Sequence, residues 1–306
     1  MKVLVATEKP FAKAAVQGIR SIVENAGHTL LLLEKYTTSE ELYAAVKDAD
    51  ALIVRSDKVS KDVVEASEKL KIVVRAGAGY DNLDLAACTE KGVVAMNTPG
   101  QNSNAVAELA IGMMIYVSRN CFTPGTGSEL KDKTIGIHAY GNVGRLVAKL
   151  AKGFEMNIIA FDPFVDVDKV KKDGVTPVST IEELYEKSDF LSLHIPANAQ
   201  TKGSVGYDLI TRLPKGGCLV NTARKEVINE PELLKALEER CDIKYVTDIA
   251  ADNQQILNEK FGNRVFASPK KMGAETAEAN INAGLAAANQ IIKFFETGDK
   301  TFQVNK

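Results

Sequence analysis

The 306-residue chain has no tryptophan, three histidines, four cysteines and nine prolines, and 38 basic side chains nearly balance 40 acidic ones for a net charge of −2. So even a balance excludes a global field for nucleic acid or an anionic membrane surface; any anion site must be a local cluster. Cys88, Cys121, Cys218 and Cys241 show neither CxxC spacing nor a histidine beside them. That argues against zinc and against a disulfide framework, and the thiols read as reduced, mostly core-filling residues of a cytoplasmic protein. No metal is expected. The longest apolar stretch, residues 105–117, contains Glu108 and is too short to span a bilayer. The N-terminal MKVLVATEKPF meets charges after one short apolar run, unlike a secretory signal. Repeats and low-complexity segments are missing too. What is present is ordinary for a globular chain: 45% hydrophobic, 25% charged, 6% aromatic and 22 glycines. The length suggests two domains of roughly 150 residues.

Short apolar runs alternate with amphipathic segments. Residues 3–6, 29–33, 51–55, 72–75 and 93–97 have the Val, Ile and Leu content of buried strands. Helical patterns lie between them, such as 11–26 before Gly27, an expected C-cap, and 39–47 with Glu40 and Glu41 in its first turn. A long helical segment at 104–119 and a glycine-containing loop at 123–127 follow. A second series of strands then runs 134–138, 157–161, 190–194, 218–221, 244–247 and 265–267, and a last helix covers 276–295. Alternation of this kind means βαβ units and parallel sheets. The fold class expected is α/β, with two doubly wound, Rossmann-like domains.

The strand TIGIH runs into Ala139-Tyr140-Gly141-Asn142-Val143-Gly144 and a helix. This matches the second and third glycines of G-x-G-x-x-G, with Ala139 in place of the first. Gly141 lets the backbone approach a pyrophosphate, Gly144 lets helix and strand pack closely, and Asn142 and Val143 bring free N–H groups of the helix N-terminus. The expectation for Ala139 is a negative-φ turn that alanine tolerates. Asp162 ends the next strand, 162 − 144 = 18 residues on, where a carboxylate accepts from the ribose hydroxyls and favours NAD over NADP.

Longer motifs then carry a family resemblance: VRS at 54–56, VVRAGAGYDNLDL at 73–85, MNTPGQNSNAVAELAIGMM at 96–114, HIP at 194–196, NTARKEVINEPELL at 221–234 and KMGAETAEANI at 271–281. Over nearly its whole length the chain resembles the D-isomer-specific 2-hydroxyacid dehydrogenases. The resemblance implies a nucleotide domain, 99–279, inserted into a substrate domain formed by 1–98 and 280–306, and a homodimer. It also implies Arg224 as a carboxylate anchor, suited to bidentate contact, with Ala76, Gly77 and their neighbours offering backbone N–H groups to the same carboxylate. Ile195, Thr222, Asp248 and Gly273 are expected to line NAD, with Asp248 against the nicotinamide carboxamide.

At the proton-transfer position the chain departs from the family, whose pattern is His-x-Gly-(Gly/Ala)-x-Thr-x-Glu. Gly273, Ala274, Thr276 and Glu278 match, but Lys271 stands where the histidine belongs, with Lys270 as the reading offset by one. The family glutamate five residues after Asp248 is replaced by Asn253, with Asp252 one short. A lysine starts near 10.4 and serves as a base near neutrality only if its proton affinity falls. Burial and a nearby Arg224 lower it, whereas a carboxylate partner holds it charged. Loss of the glutamate therefore goes with lysine as the acid–base group. The three histidines, His28, His138 and His194, read as structural.

For substrate, Arg55 and Arg75 end strands and are expected to hold the phosphate of a phosphorylated 2-hydroxy acid, unless local acids occupy them; Asn102 orients substrate or loop. The leading expectation is NAD-dependent oxidation of D-3-phosphoglycerate to 3-phosphohydroxypyruvate, the entry to serine biosynthesis. A hydroxypyruvate, glyoxylate or D-lactate dehydrogenase is the second reading, and an NAD-sensing, corepressor-like binding protein the third. Relatives often carry a tryptophan in the segment shortened here at 119–129. The chain stops after the substrate domain, so feedback through an appended regulatory domain is not expected.

Overall fold

The computed structural model describes residues 1–305 and divides into two compact units, 1–102 with 275–306, and 103–274. The junctions thus fall at 102/103 and 274/275, a few residues from the expected 98/99 and 279/280.

The first unit holds β1 (Lys2–Thr7), β2 (Thr29–Glu34), β3 (Ala51–Val54), β4 (Ile72–Arg75) and β5 (Val94–Asn97). They form a parallel sheet in the order β2-β1-β3-β4-β5. Both faces are covered, which is why the strands read as continuous apolar runs. On one face Val3, Val5, Ile53 and Val74 pack with Ile19 and with Ala283, Ala287 and Ile291 of the helix Ala277–Thr297. On the other, Leu4, Leu52 and Val73 meet Leu42, Val63 and Cys88. The chain's end closes the β5 edge: the Asn305 side chain accepts from Ala95 N–H at 2.8 Å and donates to the Val93 carbonyl at 2.9 Å.

The second unit opens with the helix Ser103–Ser118. Its sheet contains β6 (Thr134–His138), β7 (Asn157–Phe161), β8 (Thr176–Pro177), β9 (Phe190–Leu193), β10 (Cys218–Asn221), β11 (Lys244–Thr247) and β12 (Val265–Ala267). The order is β12-β11-β10-β9-β6-β7-β8, all parallel. Six of these strands are the expected ones; the seventh, β8, is a two-residue edge too short to show a periodic pattern. Cys88 and Cys218 are buried, whereas Cys241 is exposed and Cys121 half-exposed, so only two of the four thiols fill a core. Among the described residues no helix is long and apolar enough to cross a membrane.

Candidate active site

In the seven-stranded unit β6 lies between β7 and β9, and successive crossovers leave it in opposite directions. Ligands of doubly wound sheets bind beyond the strand C-termini at such a switch point. Ala139–Gly144 follows β6, Asp162 follows β7, Ile195 follows β9, Thr222 and Arg224 follow β10, and Asp248 follows β11. The topology therefore brings the expected cofactor residues of this unit to one edge of one sheet.

The two glycines of the first turn have different surroundings. A Cβ built on Gly141 meets nothing within 4 Å, whereas one on Gly144 would lie 2.3 Å from the Ala139 carbonyl oxygen and 2.9 Å from Ile137 Cγ2. Gly141 thus leaves space above the backbone, and Gly144 sets the closeness of helix to strand. Gly141 caps the helix Asn142–Gly153 with no side-chain cap, so the first-turn N–H groups remain for a ligand. Asn142 is exposed there, while Val143 packs against the core. Ala139 corrects the negative-φ expectation: its φ is +78°. The turn demands the left-handed conformation that a glycine adopts freely and an alanine adopts at a cost. The Asp162 carboxylate is fixed by two backbone donors, Tyr140 N–H at 2.7 Å and Phe164 N–H at 2.9 Å.

Farther along the edge, Ile195 is buried in the core below. Thr222 Oγ1 and Asp248 Oδ1 are buried and have no hydrogen-bond partner among the described residues. Buried polar atoms are nearly always satisfied, so the Thr222 hydroxyl beyond β10 suits a polar ligand, while Asp248 Oδ1 beyond β11 has only the Lys271 amine near it, at 3.6 Å. Together with the open space over Gly141, these residues fit a dinucleotide. The second Asp248 oxygen accepts from Gly273 N–H at 2.9 Å, and a Cβ on Gly273 would lie 2.8 Å from that oxygen.

Arg224 and Lys271 meet at one atom. Arg224 Nη1 donates to the Ala223 carbonyl at 2.9 Å, and Lys271 Nζ donates to the same oxygen at 2.6 Å. Asn221 braces the turn, accepting from Ala223 N–H at 3.0 Å and donating to the Arg224 carbonyl at 3.0 Å. Lys271 Nζ is also 3.6 Å from Asp248 Oδ1. Burial is the main cause that pushes the Lys271 ammonium below its ordinary value; Asp248 opposes it and Arg224 adds to it. Lys270 is exposed. Asp252 pairs with Lys225 at 2.5 Å, and Asn253 N–H donates to Glu230 at 3.2 Å.

Sequence reasoning missed the Ala223 carbonyl and the approach of Asp248 to Lys271. The signal for the latter was the adjacency of β11 and β12, whose Thr247↔Ala267 register sets the two following loops side by side. His138 and His194 are half-buried, and desolvation pushes them down to about 4 and about 3, so neither is a base near neutrality.

In the five-stranded unit Arg55 and Arg75 stand at the C-terminal ends of the adjacent strands β3 and β4. Arg55 donates to the Lys9 and Pro10 carbonyls at 3.0 and 3.2 Å and to Asn280 Oδ1 at 2.6 Å. Among the described residues no acid takes its guanidinium; backbone and an amide do. Arg75 Nε donates to the Arg55 carbonyl at 3.0 Å. Its guanidinium lies over Gly77, where a Cβ would be 1.4 Å from Arg75 Nη1 and φ is +151°. Ala76 N–H donates to Val54, and the Gly77 carbonyl accepts from Thr98 N–H at 2.9 Å. Asn102, partly buried, is the last residue before the junction.

Residues 111–269 match the family described as D-isomer specific 2-hydroxyacid dehydrogenase, NAD binding domain. A crystal structure of NAD+-bound 3-phosphoglycerate dehydrogenase from Entamoeba histolytica superposes with a TM-score of 0.89 at 52% identity, covering 100% of this chain and 99% of that one. D-3-phosphoglycerate dehydrogenase of Methanocaldococcus jannaschii is 38% identical over 84% of this chain but only 52% of its own length. Hydroxypyruvate reductase of Thermotoga maritima is 34% identical over 86% of this chain and 90% of its own length. The chain therefore spans about half the length of the curated phosphoglycerate dehydrogenases it matches. With its two parallel α/β units and its nucleotide-binding edge, the chain belongs to the D-isomer-specific 2-hydroxyacid dehydrogenases.

Proposed function

We propose that the protein catalyses NAD-dependent oxidation of D-3-phosphoglycerate to 3-phosphohydroxypyruvate, with Arg224 as carboxylate anchor and Lys271 as acid–base group. The observation that carries this reading is the convergence of Arg224 and Lys271 on the Ala223 carbonyl. A guanidinium and an amine held that close suit a 2-hydroxy carboxylate, whose carboxyl and hydroxyl oxygens are neighbours. Bound NAD+ supplies the hydride acceptor. The Lys271 amine takes the proton of the 2-hydroxyl as C2 loses its hydride, and the ammonium returns it in the reverse direction.

Arg75, with Arg55 behind it, is the phosphate reader in this proposal. The acceptors already on Arg55 favour, as a second reading, an unphosphorylated substrate such as hydroxypyruvate. The same proposal takes the protein to be a cytoplasmic homodimer, for which sedimentation as a two-chain species is the check.

NADH formation with D-3-phosphoglycerate, D-glycerate and D-lactate in parallel at alkaline pH decides among the substrates. Turnover confined to the phosphorylated acid supports the first reading, and no turnover with any favours a cofactor-sensing role. Lys271→Ala should lower kcat by about 10²–10⁴-fold, as removal of a general acid–base group does. A near-normal kcat would take the role from Lys271.

A further inference from the structure

We propose that Asp248 is the positioning residue of Lys271, the buried carboxylate that holds its ammonium in place beside the Ala223 carbonyl. The inference rests on the reading of Lys271 as the acid–base group.

The geometry makes the case. Asp248 is fully buried. Its Oδ2 is tied by Gly273 N–H at 2.9 Å, two residues beyond Lys271 on the same loop. Its Oδ1 has no hydrogen bond among the described residues, yet lies 3.6 Å from Lys271 Nζ. An isolated carboxylate in such a place is strongly disfavoured, so a cation at ion-pair distance is what permits it. Lys271 is that cation, with its nearest hydrogen bond spent on Ala223. One carboxylate thus grips the loop through Gly273 and faces the lysine head.

The charged groups around Lys271 pull in opposite directions. Asp248, beyond β11, and Glu226, beyond β10, favour the ammonium; burial and Arg224, also beyond β10, favour the amine. A reversible dehydrogenase needs both forms, since oxidation starts from the amine and reduction from the ammonium. The balance serves a group that must exchange its proton near working pH. In this proposal the glutamate missing at position 253 is replaced by a carboxylate five residues earlier on the same segment after β11.

The test is competitive acetylation of Lys271 in the full chain with acetic anhydride across pH, read by mass spectrometry of the Lys271 peptide. Asp248→Asn keeps an acceptor for Gly273 and removes the charge, and its midpoint should fall by about one to three pH units. Asp248→Ser, smaller and still an acceptor, is read the same way should the asparagine variant not fold. Arg224→Gln should raise the midpoint. A merely loosened site would raise every midpoint toward about 10.4, the value of a solvated lysine, so a fall in the Asp248 variants is the discriminating sign. The acid limb of kcat/KM for oxidation should move down in step. An unchanged or raised midpoint in the Asp248 variants overturns the proposal. A normal kcat in Lys271→Ala with the labelling shifts intact would instead overturn the acid–base reading and leave the pairing standing.

Discussion

The two glycines of the nucleotide turn allow stability and cofactor binding to be separated by one methyl group each. At Gly141 an added Cβ meets nothing within 4 Å, and φ is −82°, which any residue adopts. Alanine there gains about 0.4–1 kcal/mol by restricting the unfolded chain and loses a similar amount because glycine is the better N-cap. Gly141→Ala should therefore leave unfolding free energy within about 0.5 kcal/mol of the parent. Its methyl, however, occupies the space in which a pyrophosphate would approach the helix N-terminus. Loss of one hydrogen bond to a charged group, about 1.5–3 kcal/mol, corresponds to a dissociation constant for NADH raised by about 10- to 150-fold.

At Gly144 the order reverses. A Cβ 2.3 Å from the Ala139 carbonyl oxygen presses on backbone, which yields only if helix and strand part. Overpacking of this kind costs about 1–3 kcal/mol, and the helix preference of alanine returns at most about 1. Gly144→Ala should thus lose about 1–2 kcal/mol of stability. NADH fluorescence titration and urea unfolding measure the two quantities on the same preparations. If Gly141→Ala binds NADH as tightly as the parent, the dinucleotide does not pass over Gly141, and the site has been built in the wrong place. If Gly141→Ala is the less stable of the two, the packing account of the turn is wrong.

Two further outcomes follow from groups outside this turn. His138 and His194 are half-buried, and desolvation pushes their proton affinities down to about 4 and about 3. The unfolded chain, with histidines near 6.5, binds the protons first as pH falls, so stability is full above about 6.5 and is lost as pH falls toward 4. At pH 5 each histidine should have removed about 2 kcal/mol, so urea unfolding of His138→Gln should lose about half as much between pH 7.5 and 5 as the parent; an identical pH dependence would show that His138 is not the source. Gly77→Ala places a methyl where the Arg75 guanidinium lies, at a φ of +151° that alanine rarely adopts. If Arg75 reads the phosphate, KM for D-3-phosphoglycerate should rise about tenfold or more for the lost charged hydrogen bonds with less effect on kcat, and an unchanged KM would remove Arg75 from the substrate site.

The strands were legible because a parallel sheet covered on both faces needs unbroken apolar runs, and β1, β3, β4 and β10 are just that. Gly144 and Asp162 were legible for a related reason, since one helix and one strand separate them and local spacing carries their geometry. What escaped the sequence was set by contact or by dihedral angle. β8 is two residues long and exists only because β7 offers an edge. Ala139 looked like a tolerated negative-φ substitution, but its φ is +78°, a dihedral that residue type alone does not reveal. Lys271 was visible as a departure from a motif, and burial and Arg224 were foreseen as the forces lowering its proton affinity. Asp248 was not foreseen beside it, because 22 residues with a helix and a strand intervene, and the β11–β12 register is what sets the two loops side by side. The expectation that a lysine base avoids carboxylates therefore needs a physical amendment. Burial and Arg224 favour the amine, whereas the reverse reaction starts from the ammonium. In the proposed pairing a single buried carboxylate, restrained by Gly273 and 3.6 Å from the amine, opposes that tendency and favours the ammonium.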